Sequence, residues 1–262
     1  MFDSGFGGLT VARAVMDLLP SEDLVYLGDT GRYPYGPRDL KEVRGFAEQI
    51  TAHLVDTYDV KVVVVACNTA AAAALDVLVE QCPVPVLGVI EPGARALRQA
   101  TATGRVGVIG TVGTIGSGAY QDAVREVAAE QSVVLTCAAC PGFVEFVERG
   151  ETDSEQVHVL AERLLDPVRE ADVDALLLGC THYPFLARTI SDVMGRGVVL
   201  VSSADETAFA LKELLEADGL TAESGRVGSH RWVSTGDAAE FARLGRRLLG
   251  PELDVVDALE WT

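Results

Sequence analysis

Short apolar runs at 24–27, 62–65, 84–87, 106–109, 133–135, 176–178 and 198–201, rich in Val and Leu and bounded by Gly, Pro or polar residues, leave this chain few ways to fold. Strands without a polar face must be covered on both sides, as in a parallel sheet flanked by helices. Between the runs, apolar residues recur at three- and four-residue spacing over 39–58, 120–130, 155–170 and 205–217, the pattern of amphipathic helices. The predicted class is α/β with mostly parallel sheets. A length of 262 residues allows one large domain or two smaller ones.

An internal echo decides between these. Val62-Val63-Val64-Val65-Ala66-Cys67-Asn68-Thr69 and Ala175-Leu176-Leu177-Leu178-Gly179-Cys180-Thr181-His182 both read as apolar strand, small residue, Cys, then polar residues before a helix. Ligands of open α/β sheets bind at the carboxyl ends of strands, so each Cys occupies a site-forming position. The repetition predicts two similar, pseudo-twofold related α/β domains with one active site in the cleft between them. The first is placed at 1–89 and completed by 203–262, the second at 90–202. No Ser-, Gly- or Pro-rich linker marks these borders.

Charge and composition narrow the function. The chain carries 21 Lys+Arg against 39 Asp+Glu, a net charge of -18, which argues against nucleic acid or an anionic membrane as a direct ligand. No apolar run reaches the roughly 20 residues of a membrane span, and Met-Phe-Asp-Ser-Gly lacks the basic and apolar regions of a signal peptide. A cytoplasmic enzyme is expected. There the five cysteines stay free for catalysis, metal binding or packing.

A thiol at a helix N-terminus is acidified by the local N–H groups and dipole, and the thiolate is the reactive form. Cys67 and Cys180 are both expected to benefit, whereas Cys82, Cys137 and Cys140 read as small buried hydrophobes. Cys137-Ala-Ala-Cys140 has redox spacing but opens no thioredoxin-like helix. Cys67, Cys180 and His182 could ligate zinc, yet no Cys-x-x-Cys pair lies near the strand ends, and no metal is expected. His182, two residues after Cys180, can exchange a proton with substrate or thiol. His53, His158 and His230 have no partner pattern and read as surface residues. Phe2-Asp3-Ser4-Gly5-Phe6-Gly7-Gly8 is a Gly-rich turn that can present N–H groups to an anion. The glycines after 106–109 do not have dinucleotide spacing, and the hydroxyls of Thr111 and Thr114 suit a small carboxylate better.

These residues carry a resemblance. Phe-Asp-Ser-Gly-Phe-Gly-Gly-Leu at 2–9, Gly-Asp-Thr-Gly-Arg-Tyr-Pro-Tyr-Gly at 28–36, Ala-Cys-Asn-Thr-Ala at 66–70, Gly-Val-Ile-Glu-Pro-Gly-Ala at 88–94, Gly-Thr-Val-Gly-Thr-Ile at 110–115, Cys-Pro-Gly-Phe-Val at 140–144 and Gly-Cys-Thr-His-Tyr-Pro at 179–184 resemble the glutamate racemases of the aspartate/glutamate racemase superfamily. The likeness runs to about residue 210. Ala-Cys-Asn-Thr with Gly-Cys-Thr-His-Tyr-Pro is highly specific; the glycine turns alone are not.

The resemblance implies cofactor-independent, metal-independent racemisation by two bases, one Cys on each side of the α-carbon, supplying D-glutamate for bacterial peptidoglycan. It implies Asp3 beside Cys67, and His182 with Glu148 beside Cys180. It gives substrate binding to Asp3, Ser4, Pro34, Tyr35, Gly36, Asn68, Thr69, Thr111, Thr114, Thr181 and His182. A homodimer is expected, and a contact with DNA gyrase is a further role that some members have. A sister racemase for aspartate, or one of broad specificity, is the alternative.

Three departures are visible. Members usually carry several residues of a first strand before Phe-Asp-Ser-Gly, whereas only Met1 precedes Phe2 here, so either the start lies upstream or that strand is lost. Glu145 stands where Pro is common, making it a competitor of Glu148; alignment prefers Glu148. Gly31, where Ala is usual, reads as neutral.

Overall fold

The computed structural model describes residues 1–128 and 133–261. Ten strands are present among them: β1 (Phe2–Asp3), β2 (Leu24–Gly28), β3 (Val63–Val65), β4 (Val86–Gly88), β5 (Arg105–Gly110), β6 (Val134–Ala139), β7 (Ala175–Gly179), β8 (Val199–Ser202), β9 (His230–Ser234) and β10 (Val256–Ala258). The chain divides into two compact units, Met1–Val89 with the chain from Ala204 onward, and Ile90–Ser203. Each unit is an α/β fold with its own sheet, and every strand pairing is parallel.

The first sheet runs β10-β9-β2-β1-β3-β4 and the second β6-β5-β7-β8. The order β2-β1-β3-β4 is thus repeated as β6-β5-β7-β8. In each, the chain leaves its first strand to one side, then crosses to the other, and this reversal is the switch point at which open α/β sheets form a crevice. Cys67 follows β3 and Cys180 follows β7, the strands immediately across the two switch points. The sequence echo is therefore an echo of topology.

Local chemistry explains most boundaries. Asp39 starts the helix Leu40–Tyr58 by accepting the Lys41 N–H at 2.7 Å. The expected helix over 155–170 is two helices, Glu155–Leu164 and Asp166–Glu170, because Pro167 cannot donate to a continuing ladder and suits a first turn. Pro85 likewise delays β4 to Val86. The helix predicted over 120–130 is Ala119–Val127; residues 129 and 130 lie outside the described residues. The first strand is not lost: Phe2 pairs with Leu27 on one side and Val65 on the other, and Asp3 pairs with Gly28. No helix among the described residues is long and apolar enough to cross a membrane.

The second sheet shows why its strands read as unbroken apolar runs. All five residues of β7 are buried. A Cβ on Gly179 would stand 2.7 Å from the Ile109 carbonyl oxygen and 2.9 Å from the Tyr120 ring, so the residue before Cys180 must be glycine for β5 and β7 to pair with Tyr120 beneath them.

Candidate active site

In the first unit the candidate side chains collect at the carboxyl ends of β1 and β3. Asp3 is fully buried, and one of its carboxyl oxygens accepts the Gly5 N–H at 3.0 Å, turning the chain at Ser4. Gly8 lies against this turn so closely that a Cβ there would meet the Asp3 Cβ at 2.6 Å and the Tyr26 hydroxyl at 2.8 Å. Tyr26 rises from β2 and donates to the Gly5 carbonyl at 3.0 Å, holding the turn from below. Sequence reasoning missed it because a Tyr within an apolar run reads as core.

Cys67 caps the helix Asn68–Gln81, its Sγ accepting the Ala70 N–H at 3.5 Å. The N–H and hydroxyl of Ser4 also hydrogen-bond the sulfur. These donors favour thiolate, yet burial first and the negative charge of Asp3 second push the thiol up to about 12. The expected acidification of Cys67 is therefore overturned: desolvation outweighs the helix terminus. At neutral pH this residue is a thiol with a carboxyl neighbour, a proton donor in waiting whose conversion to a base needs a proton acceptor. Asn68 and Thr69 are buried in the first turn of the same helix.

Pro34, Tyr35 and Gly36 follow β2, and Tyr33-Pro34 is a cis peptide. The Tyr35 phenol donates to Asp29 in a short hydrogen bond, and burial together with the charge of Asp29 holds it well above the usual phenol range. Its side chain is thus committed inside the protein, and the backbone of this loop is what can face a ligand.

The second unit gathers its set at the ends of β5 and β7. Thr111 caps the helix Val112–Gly116, its hydroxyl accepting the Thr114 N–H at 3.1 Å and lying 2.9 Å from the Thr114 hydroxyl. Cys180, Thr181 and His182 are all buried. They lead into a single 3-10 turn, Tyr183–Leu186, and the α-helix begins only at Ala187. The N-cap of the 3-10 turn is His182, two residues beyond Cys180. Pro184 is the local cause of the altered turn.

Glu148 places Oε1 3.7 Å from His182 Nε2, with a quarter of its side chain exposed at 26%. Glu145 is solvent-exposed one turn earlier on the helix Phe143–Arg149. Tyr183 donates to the Cys140 carbonyl at 3.0 Å and packs edge-on to Phe143, bracing the segment after Cys180 against that helix. Cys140 is core, and burial pushes its thiol up to about 12 and that of Cys137 to about 11. His53, His158 and His230 are partly exposed, and two of them also make ring contacts. His53 meets the rings of Tyr58 and Trp261 edge-on, and His230 opens β9 beside Trp232.

Burial of the Cys67 thiol makes stability depend on pH. A thiol that titrates at 9.0 when solvated ionises in the unfolded chain before it does in the folded one, so its contribution is fully present below pH 9 and is lost as pH rises toward 12. Denaturant unfolding between pH 9 and 11 should show the unaltered protein losing up to about 1.4 kcal/mol per pH unit more than Cys67→Ala. Parallel slopes would show that Cys67 is not held as a thiol.

Each unit thus ends a core strand in a buried cysteine, Cys67 beside Asp3 in the first and Cys180 two residues before His182 in the second. A family model for Asp/Glu/hydantoin racemases matches residues 10–211, and the chain belongs to that family. Among its relatives, a glutamate racemase of Parafrankia sp. is 52% identical over 98% of this chain and 92% of that one. A glutamate racemase isoform of Bacillus anthracis superposes with a TM-score of 0.91 at 40% identity, over 100% of this chain and 96% of the other. The glutamate racemase of Francisella tularensis, solved with D-glutamate, gives 0.89 at 31% identity over 99% and 96%.

Proposed function

We propose that this protein interconverts L- and D-glutamate in the cytoplasm without metal or cofactor, supplying D-glutamate for cell-wall peptidoglycan, with Cys67 and Cys180 acting on opposite faces of the α-carbon. The observation that carries this reading is the placement of one cysteine just across the switch point of each sheet, in two units with the same core strand order. A two-base racemase needs one such group on each face of the carbon. Glutamate is preferred over aspartate because the relatives near 50% identity are named glutamate racemases.

The chemistry balances as a proton exchange. One Sγ, as thiolate, takes the α-proton; the electron pair is held by the carboxylate, and the other thiol gives its proton to the opposite face. Each turnover inverts the protonation of the pair, so the reverse reaction starts from the state the forward one leaves. Asp3 serves Cys67, and His182 with Glu148 serves Cys180. Ser4, Pro34, Tyr35, Gly36, Asn68, Thr69, Thr111, Thr114 and Thr181 are read as holding the two carboxylates and the ammonium group through backbone N–H groups, hydroxyls and an amide.

Purified protein dialysed exhaustively against chelator should drive the circular dichroism of either glutamate enantiomer to zero, with no absorbance near a pyridoxal aldimine band. The three lysines, Lys41, Lys61 and Lys212, lie outside both cysteine sets. Activity lost on dialysis and restored by zinc or pyridoxal phosphate would overturn the cofactor-independent mechanism, and faster turnover of aspartate would establish the sister racemase instead.

A further inference from the structure

Asp29 follows β2 and has no exposed surface. Its backbone N–H donates to the Asp3 carbonyl at 3.0 Å, one hydrogen bond from the carboxyl that lies beside Cys67. Oδ2 accepts the Tyr35 phenol and Arg32 Nε, the latter at 2.7 Å. Oδ1 accepts the Thr235 hydroxyl at 2.6 Å and the indole N–H of Trp261 at 3.1 Å. Four donors fill the acceptor sites of a carboxylate, so Asp29 has no capacity for a substrate. What it gathers is the loop carrying Pro34, Tyr35 and Gly36.

The surroundings extend the same clamp. The Arg32 guanidinium lies over the Phe46 ring at 4.2 Å and the Trp261 ring at 4.7 Å, and its Nη1 donates to Gln49 at 2.7 Å. Thr30 and Ser234 share a hydroxyl hydrogen bond of 2.7 Å, the Gly31 N–H donates to the Thr235 hydroxyl at 3.0 Å, and the Gly236 N–H donates to the Thr30 hydroxyl at 3.0 Å. A Cβ on Gly31 would stand 2.7 Å from the Thr235 carbonyl oxygen. Gly31 is therefore not neutral: it permits the contact between the loop and the residues that follow β9.

We infer that Asp29 is a positioning residue that fixes the Pro34-Tyr35-Gly36 loop for substrate recognition, and that Arg32 and Trp261 complete the clamp from outside the catalytic set. The inference rests on the reading of 34–36 as substrate-binding. Asp29→Asn replaces one acceptor oxygen with an amide that faces two donors. Trp261→Phe keeps the ring over Arg32 and deletes only the N–H, whereas Trp261→Ala removes both.

The three variants separate a clamp from a mere packing contact. Hydrogen exchange over residues 30–36 should speed up in the order Trp261→Phe, Trp261→Ala, Asp29→Asn. KM for both glutamate enantiomers should rise about 3-fold in Trp261→Phe and about 10-fold in Trp261→Ala, increments expected of one lost hydrogen bond and of that bond plus a stacked cation, with kcat held within about twofold. Unchanged exchange in Trp261→Phe and Trp261→Ala would overturn the clamp. Faster exchange with unchanged KM, or a fall in kcat at constant KM, would overturn its role in recognition. Should Asp29→Asn fail to fold, the two Trp261 variants still decide. Absence of glutamate turnover by the unaltered protein would sink the functional reading, while the exchange series would still decide the clamp.

Discussion

Replacing either Cys67 or Cys180 by Ala should lower racemisation of both enantiomers by about 10⁴-fold, the upper end of what one positioned acid–base group supplies, while the protein stays folded. Both directions should fail in both variants because the proposed turnover uses the two sulfurs together, one as base and one as acid. Folding survives because the lost atom is a single sulfur: Cys67 is 5% and Cys180 7% exposed, and Ala keeps the Cβ in each site. Cys→Ser should retain traces, its hydroxyl being a far weaker acid than a thiol. Circular dichroism of the substrate measures turnover, and thermal melting checks the fold. Turnover within tenfold of the unaltered protein in either Ala variant would remove that cysteine from the mechanism.

The groups beside the two thiols are chemically unlike, and the second prediction follows from that difference. Beside Cys67 the neighbour is an acid whose negative charge opposes thiolate formation, so Asp3 can help only by accepting the proton. Two residues after Cys180 comes a histidine 3.7 Å from Glu148, a pair that can carry a proton with less charge repulsion. Asp3→Asn and His182→Asn should each lower kcat/KM by about 10²-fold. The loss must be equal for L- and D-glutamate, since the enantiomers have equal free energy and the ratio of the two kcat/KM values is fixed at one. The asymmetry appears in the isotope effects. Because the proposed mechanism gives each enantiomer a different sulfur as its base, Asp3→Asn should raise the α-deuterium effect on one enantiomer and His182→Asn that on the other. Identical effects in both directions for both variants would show that these residues bind substrate and do not tune the thiols.

Much of this architecture is legible in the chain because parallel strands announce themselves. Val63–Val65 and Ala175–Gly179 are apolar on both faces, and the Cys at the end of each is a visible repeat. Other parts carry no such signal. β1 is two residues long, too short for any period, and its identity depends on neighbours at Leu27 and Val65. In β9, His230 and Arg231 dilute the apolar pattern, and the strand forms because β2 and β10 pair with it. The candidate site divides along the same line. The cysteines, Asp3, Thr111 and His182 stand at motif positions, whereas Asp29 and Trp261 meet across most of the chain length, a pairing that no local pattern encodes. The thiol chemistry was misread for a physical reason. A helix N-terminus is a sequence feature, but the desolvation that outweighs it at Cys67 depends on packing.

Deuterium incorporation at the α-carbon tests the central claim most directly. Unaltered protein in D₂O is given one glutamate enantiomer, and the reaction is stopped at low conversion for proton NMR of the separated enantiomers. Two thiols on opposite faces predict a product deuterated at the α-carbon and recovered substrate that still carries its α-proton, because the base that took the proton is not the acid that delivers the next one. Recovered substrate that gains deuterium as fast as product forms would contradict the account, since a single group would then be serving both faces.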